Sequence, residues 1–171
     1  LYRFDARPDP AAGPTKVADL AYQASEACLF QGLVVVGERG APTVHAYDPA
    51  DLATDRGPLT LAGGTFVRAC AADATRLYVA LAAGSGADVI VELTAAPALA
   101  EAGRPALPTG LGAKTRLLDL AYDRRGGQFY GLFVADGEVN ATALVPFTMG
   151  GAAGAPVAAP FALTNLGTFA P

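Results

Sequence analysis

Residues 76–93 read Arg76-Leu77-Tyr78-Val79-Ala80-Leu81 and, after a turn, Asp88-Val89-Ile90-Val91-Glu92-Leu93. Each half is short, rich in Val, Leu and Tyr, and bounded by Gly, Asp and Ala, which is typical of a β-strand. The connector Ala83-Gly84-Ser85-Gly86-Ala87 contains the small residues that a hairpin turn requires. The stretch therefore predicts two adjacent antiparallel strands.

This strand–turn–strand pattern occurs three times along the chain. The paired segments are 33–37 with 43–48, 77–81 with 88–93, and 129–133 with 142–147. A first strand is predicted before each pair, as Asp19-Leu20-Ala21-Tyr22, a degenerate Val67-Arg68-Ala69-Cys70, and Asp119-Leu120-Ala121-Tyr122. A weaker fourth strand opens on Pro58, Pro105 and Pro156, and proline restricts it to a sheet edge. A period of about 50 residues indicates stacked supersecondary units.

Four antiparallel strands in a unit of about 40 to 50 residues are typical of a β-propeller blade. The chain resembles the β-propeller repeat superfamily, and most closely the blades of bacterial and archaeal surface-layer and related proteins. In those blades a Leu-Tyr-Val strand, a Gly/Ser turn and a Val-x-Val strand follow one another, as in residues 76–91. The resemblance implies an all-β propeller segment of about three four-stranded antiparallel blades, with partial blades at both ends.

The predicted blades cover residues 17–62, 64–108 and 115–160. Residues 1–16 are expected to end an earlier blade, and residues 161–171 to begin the next. Propellers usually close with about 4 to 8 blades, because closure removes exposed sheet edges. We therefore expect the sequence to be a piece of a longer polypeptide. The alternative is a compact ring of four blades in which residues 166–171 join the N-terminal segment.

The composition narrows the range of partners. The chain has 171 residues, of which 52% are hydrophobic, and its net charge of −4 includes no basic stripe, so nucleic acid is not expected as a partner. Residues 139–171 carry no charge, but prolines and glycines interrupt them too often for a membrane helix. This segment is either a surface covered by another subunit or by the rest of the propeller, or an outer strand and loop of small residues.

The two cysteines are Cys28 and Cys70. Cys70 falls in a predicted first strand, and Cys28 in the predicted connector after the preceding first strand, so both are expected on one face. A disulfide between adjacent blades requires the two Cα atoms to lie within about 7 Å, and it would suit an oxidising compartment. The alternative is two buried free thiols that act as small hydrophobic groups.

Asn140-Ala141-Thr142 has the form of an N-glycosylation site at a turn before a predicted strand. Glycan at Asn140 is expected if the protein is secreted from a eukaryotic cell, and the motif has no meaning in a bacterial or cytosolic protein. Together with the cysteines, it indicates an extracellular or cell-surface location.

Residues suited to catalysis are few. His45 is the only histidine, which excludes a metal site built from several imidazoles, and we predict no catalytic, metal-binding or cofactor-binding residues. Asp19 and Asp119 each open a predicted first strand, near the central channel that a propeller would have. Such carboxylates either line the channel and bind cations or substrates, or hydrogen-bond to turns between blades.

Two functional hypotheses follow. The first is a non-catalytic propeller that acts as a scaffold or protein-recognition segment in a secreted or cell-surface assembly. The second is part of a propeller enzyme, such as a lactonase-like hydrolase or a quinoprotein oxidoreductase, whose site is formed only on the complete propeller.

Overall fold

The computed structural model describes residues 2–3, 15–16, 19–96, 98–136 and 143–157. Two short strands, β1 (Tyr2–Arg3) and β2 (Thr15–Lys16), pair with each other in antiparallel orientation. The other strands form three antiparallel sheets that follow one another along the chain. No helix occurs within the ranges given, and the prediction of an all-β fold is confirmed.

Each of the three sheets is built from consecutive strands. Sheet 1 consists of β3 (Ala24–Phe30), β4 (Leu33–Glu38), β5 (Thr43–Asp48), β6 (Asp51–Asp55) and β7 (Leu59–Thr60). Sheet 2 consists of β8 (Phe66–Ala72), β9 (Leu77–Ala82), β10 (Val89–Thr94) and β11 (Ala100–Gly103). Sheet 3 consists of β12 (Arg116–Asp123), β13 (Gln128–Val134) and β14 (Ala143–Phe147). Strands adjacent in sequence are paired, except that β7 pairs with β5 rather than β6.

The second and third strands of all three copies are confirmed. The predicted segments 33–37, 77–81 and 129–133 fall within β4, β9 and β13. The predicted segment 43–48 coincides with β5, and the other two third strands correspond to β10 and β14. Apolar residues recur along these strands, because at least one face of each strand is buried against a neighbouring sheet.

The predicted first strand at Asp19-Leu20-Ala21-Tyr22 is wrong, because these residues lie outside any strand. The first strand of sheet 1 is β3, and a two-residue turn at Gln31-Gly32 pairs Phe30 with Leu33. Both turn residues have positive φ, 47° and 79°, as a type I′ hairpin requires. Such a tight turn places the first strand directly before it, so the resemblance between residues 19–22 and 119–122 is not a structural repeat.

The predicted proline-led edge strands are only partly correct. Pro58 does precede β7, but β6 also pairs with β5. In sheet 2 the chain turns back soon after β10, so the edge strand is β11, which ends before Pro105. In sheet 3 the segment before Pro156 lies beside β14 without forming a regular strand, with Gly154 N–H donating to the Pro146 carbonyl at 2.7 Å.

A β-bulge repeats in the first strand of every sheet. The extra residues are Ser25 in β3, Arg68 in β8 and Leu118 in β12, which lie 43 and 50 residues apart. Bulges bend a strand and increase its twist. Because each bulge lies at the same position in its sheet, the bulges establish which residues of the three sheets are equivalent.

Sheet 2 lies between the other two sheets. Its side chains alternate between two hydrophobic clusters, one shared with sheet 1 and the other with sheet 3. In β9, Leu77, Val79 and Leu81 face sheet 1, whereas Tyr78 and Ala80 face sheet 3. All six residues of β9 are buried, which is unusual for an antiparallel sheet unless both faces are covered.

The predicted blade segments 17–62, 64–108 and 115–160 contain one sheet each. The first strands β3, β8 and β12 lie side by side where the three sheets pack against one another. None of the described sheets closes on itself, so the structure shows a stack of sheets rather than a complete ring.

Sheets 1 and 2 approach each other closely at Gly37. A Cβ atom on this residue would lie 2.5 Å from Val67 Cγ1 and 2.9 Å from Ser25 Oγ, well inside van der Waals contact. We expect Gly37→Ala to lower the free energy of unfolding by about 1 to 3 kcal/mol, because the two sheets must separate to accommodate the methyl group. Chemical denaturation measures this loss.

Gly84→Ala is the matched control, since its Cβ would meet only Thr65 Cγ2 at 3.7 Å, an ordinary contact. If the two substitutions changed stability equally, the close approach of sheets 1 and 2 at Gly37 would be contradicted.

Candidate functional site

The predicted disulfide between Cys28 and Cys70 is confirmed. It joins β3 of sheet 1 to β8 of sheet 2, with the Cα atoms 6.2 Å apart. Cys28 lies inside a strand and not in a connector as predicted, because β3 occupies the residues directly before the turn. By the bulge register, Cys70 corresponds to Ala27 and Leu120 rather than to Tyr22 and Tyr122. Closing a loop with a sequence separation of 42 residues contributes about 4 kcal/mol in the loop-entropy model.

The two predicted channel carboxylates occupy different kinds of position. Asp119 lies within β12, is exposed, and accepts a hydrogen bond from the backbone N–H of Leu120 at 2.8 Å. Asp19 is also exposed but lies in the non-strand segment before sheet 1. The residues equivalent to Asp119 are Glu26 and Ala69, so the structure does not pair Asp19 with Asp119. A channel-lining role for either residue stays a prediction.

Asn140 lies outside the described residues, as do residues 139, 141–142 and 158–171 of the uncharged C-terminal segment. The described part of that segment, residues 143–157, supplies β14 and the chain beside it. Residues 143–157 can form a contact surface only through side chains on the exposed face of sheet 3.

A buried carboxylate at the junction of sheets 2 and 3 was not predicted. Asp88 is buried at the start of β10, where its Oδ2 accepts the backbone N–H of Leu117 at 2.8 Å and its Oδ1 accepts that of Ala83 at 3.0 Å. Arg116 completes the cluster by donating to Asp88 at 3.1 Å and to the Ala83 carbonyl at 2.5 Å. The signal in the sequence is that this aspartate directly precedes the β-branched run Val89-Ile90-Val91.

The outer side of Arg116 contacts a second carboxylate. Its Nε and Nη2 both donate to Asp136 Oδ1, at 2.9 and 2.7 Å. The hydrogen bonds that Arg116 donates, first to Asp136 and then to Asp88, raise the pKa of its guanidinium above the ordinary value. We call Asp88, Arg116 and Asp136 the junction clasp, because its members connect the turn before β10 to the start of β12 and the end of β13.

Arg68, the bulge residue of sheet 2, also approaches this clasp. Its Nε lies 3.3 Å from Asp88 Oδ2, which is an ion-pair distance, but the atom is buried and its geometry makes no hydrogen bond. The guanidinium also lies 5.3 Å from the ring centre of Phe66, within the range of a cation–π interaction. Two arginines therefore lie within ion-pair distance of the buried Asp88 carboxylate.

A second polar cluster covers the face of sheet 1 that points away from sheet 2. The ring of Tyr22 stacks on His45 with 3.9 Å between centroids and 14° between planes, and its hydroxyl lies 2.9 Å from that of Tyr47. His45 Nδ1 is 2.5 Å from Asp55 Oδ2, and Nε2 is 3.5 Å from Glu38 Oε2. His45 is therefore a buried residue whose ring contacts neighbouring side chains.

The tyrosines of this cluster remain protonated. Burial and the hydrogen bond to Tyr47 raise the pKa of Tyr22 above its ordinary value, and burial also raises that of Tyr47. Both hydroxyls can then donate hydrogen bonds, and Tyr22 adds no negative charge next to Glu38 and Asp55. The arrangement explains the position of Asp19-Leu20-Ala21-Tyr22: the segment brings Tyr22 over His45 instead of forming a strand.

Within the described ranges, no group of three or more His, Cys, Asp or Glu side chains is placed to hold a metal ion. The same residues include no helix of the length and apolarity needed to cross a bilayer. The polar side chains of the junction clasp and the His45 cluster instead bond to one another and to backbone groups.

Removal of the Asp88 carboxylate tests the junction clasp. We expect Asp88→Ala to lower the free energy of unfolding by about 3 kcal/mol or more, since it leaves two backbone N–H groups without an acceptor. Asp136→Ala is the control: it removes the exposed partner of the same arginine, and we expect a small fraction of that loss. Thermal and chemical denaturation measure both losses. If Asp136→Ala lowered the free energy of unfolding as much as Asp88→Ala, a structural role for Asp88 at the junction would be contradicted.

Comparison with known proteins does not place the chain in a family. Neither a scan against protein-family models nor a search of curated proteins found a match. The fold class therefore rests on the three antiparallel sheets, the disulfide and the inter-sheet contacts described above.

Proposed function

We propose that this chain is a segment of a β-propeller that acts as a non-catalytic scaffold and binds protein through the outer face of sheet 3. The outer face is the side of sheet 3 that points away from sheet 2. Its apolar residues are Leu118, Ala121, Tyr130, Leu132, Leu144 and Pro146. The proposal rests on the comparison of this face with the equivalent faces of sheets 1 and 2.

The bulge register identifies the residues to compare. Val44 of sheet 1, Ile90 of sheet 2 and Leu144 of sheet 3 occupy equivalent positions in their third strands. Val44 and Ile90 are each 1% exposed, because the next sheet covers them, whereas Leu144 is 37% exposed. Leu144 is thus an apolar side chain at a position that the other two sheets bury.

The second strands lead to the same conclusion. Tyr130 and Leu132 in β13 are equivalent to Tyr78 and Ala80 in β9, which are buried against sheet 3. Their side chains point away from Phe129 and Phe133, which face sheet 2. A further sheet with large apolar side chains, like those that sheet 3 presents to sheet 2, fits this outer face. Such a sheet could belong to the same polypeptide or to another subunit.

The titratable side chains that lie in the interior support a structural role. Asp88 and Arg116 connect sheets, and His45 pairs with carboxylates of its own sheet. The disulfide crosses from sheet 1 to sheet 2 and suits an oxidising compartment, which supports a secreted or cell-surface location.

Hydroxyl-radical footprinting of the intact protein, as isolated from its source, tests the proposal. We expect Leu144 to be protected by the sheet that packs on it, while Leu29, which is 69% exposed and on another face, is labelled. If both leucines were labelled in proportion to the exposure they have in the described structure, a covered outer face would be contradicted.

A pair of substitutions provides an independent measurement. Leu144→Asp is expected to dissociate or destabilise the intact assembly, because it places a charge in an apolar contact. Leu29→Asp, the matched control, is expected to leave the assembly unchanged in sedimentation and in thermal unfolding. A tightly bound cofactor in the native mass of the intact protein would favour the alternative of a propeller enzyme.

A further inference from the structure

A cleft of about 380 Å³ opens where the turns after the first strands of the three sheets meet. Its lining includes Leu29 and Gln31 from sheet 1, Asp73 and Ala74 from sheet 2, and Tyr122 and Arg124 from sheet 3. The volume is within the range of small-ligand sites, which are concave, largely apolar and equipped with a few polar groups. The cleft is separate from the outer face of sheet 3.

The register shows which first-strand residues are equivalent at this place. Leu29, Ala72 and Tyr122 are equivalent residues of β3, β8 and β12. Leu29 and Tyr122 line the cleft, whereas Ala72 packs against the hydrophobic cluster between sheets 1 and 2. Leu29 is 69% exposed, which leaves an apolar surface available on the wall of the cleft.

The two charged side chains in the cleft, Asp73 and Arg124, differ in whether they already have partners. Asp73 accepts hydrogen bonds within its own turn, from the backbone N–H groups of Thr75 and Arg76 at 2.7 and 2.8 Å. Burial alone would raise the pKa of Asp73, but these bonds outweigh it and hold the pKa below the ordinary value. Arg124 is exposed, and in the part of the chain that the structure describes no carboxylate lies within ion-pair distance of its guanidinium.

Gln31 lies at the rim of the cleft. It lies in the tight Gln31-Gly32 turn of sheet 1, where its φ is 47°. Its side-chain Nε2 donates to the Thr75 carbonyl at 3.5 Å, which connects the turn of sheet 1 to that of sheet 2. The side-chain Oε1 then remains as an acceptor.

We propose that this cleft binds an aliphatic carboxylate, with the aliphatic group against Leu29, Ala74 and the ring of Tyr122, and the carboxylate paired with Arg124. Arginine is suited to this role because its planar guanidinium can donate two parallel hydrogen bonds to a carboxylate. The site is formed by the three described sheets, so it does not depend on the number of further sheets or on the proposed scaffold function.

Titration of the ¹⁵N-labelled protein with isocaproate, followed by NMR, tests the site. We expect shift changes confined to residues 29–31, 73–74 and 122–124, with a dissociation constant of the order of 1 mM for so small a ligand. Isocaproamide, which has the same shape without the charge, should bind at least tenfold more weakly. Equal binding of acid and amide, or no localised shift change with either probe, would overturn the proposal.

Substitutions at neighbouring arginines provide the matched control. Arg124→Gln is expected to weaken isocaproate binding at least tenfold, whereas Arg125→Gln, which removes the same charge from the adjacent exposed position, should leave it within about twofold. Equal weakening by both would show a general charge effect and contradict the assignment. Both residues are in an exposed turn, and an unchanged spectrum of the free variant verifies that the fold is intact.

The same titration with a peptide that ends in Ala-Leu, as free acid and as C-terminal amide, distinguishes the source of the carboxylate. Stronger binding of the free-acid peptide than of isocaproate identifies a chain terminus as the ligand type. Stronger binding of isocaproate identifies a free aliphatic acid.

Discussion

The burial of both faces of sheet 2 is the constraint on which the rest of the structure depends. In β9 every side chain is buried, and each large one contributes about 1.5 to 3 kcal/mol only if a neighbouring sheet removes it from water. Sheet 2 is therefore stable only in contact with both neighbours. The first strands β3, β8 and β12 lie side by side, and most of the contact between neighbouring sheets occurs along them.

The two junctions reach this packing through different chemistry. Between sheets 1 and 2, Gly37 leaves space for the side chain of Val67, and the Cys28–Cys70 disulfide links the two sheets covalently. Between sheets 2 and 3 aromatic rings pack against one another, such as Tyr78 and Phe129 with centroids 5.0 Å apart. There the Asp88 carboxylate accepts the Leu117 N–H, a role that the Ala41 carbonyl has toward Val67 N–H at the first junction.

The interior strands could be predicted from the sequence because burial gives them runs of Val, Leu and Phe bounded by turn residues. β3 could not, since its Ala-Ser-Glu-Ala-Cys-Leu-Phe sequence is mostly exposed and lacks such a pattern. The better sequence match at Asp19-Leu20-Ala21-Tyr22 reflects a tyrosine that stacks on His45, which no spacing rule reveals. The disulfide was predicted correctly although Cys28 was placed in the wrong element, because adjacent first strands bring both cysteines to one junction.

Among the site residues, Asp88 and Arg116 were missed because each belongs to a different sheet and only the stacking brings them together. The cleft beside Leu29 was missed for a similar reason: its lining residues come from all three sheets. Sequence patterns describe one strand or hairpin at a time, whereas both of these features arise between sheets.

Amide hydrogen exchange tests the central claim, the burial of sheet 2 on both faces, most directly. The account predicts that the amides of β9 exchange more slowly than those of β4, β5 and β13, which are also interior strands but belong to sheets with one neighbour in the described structure. The amides of β9 should lose their protection from exchange only in global unfolding. Exchange of β9 as fast as that of the edge strand β11 would contradict the stacked arrangement.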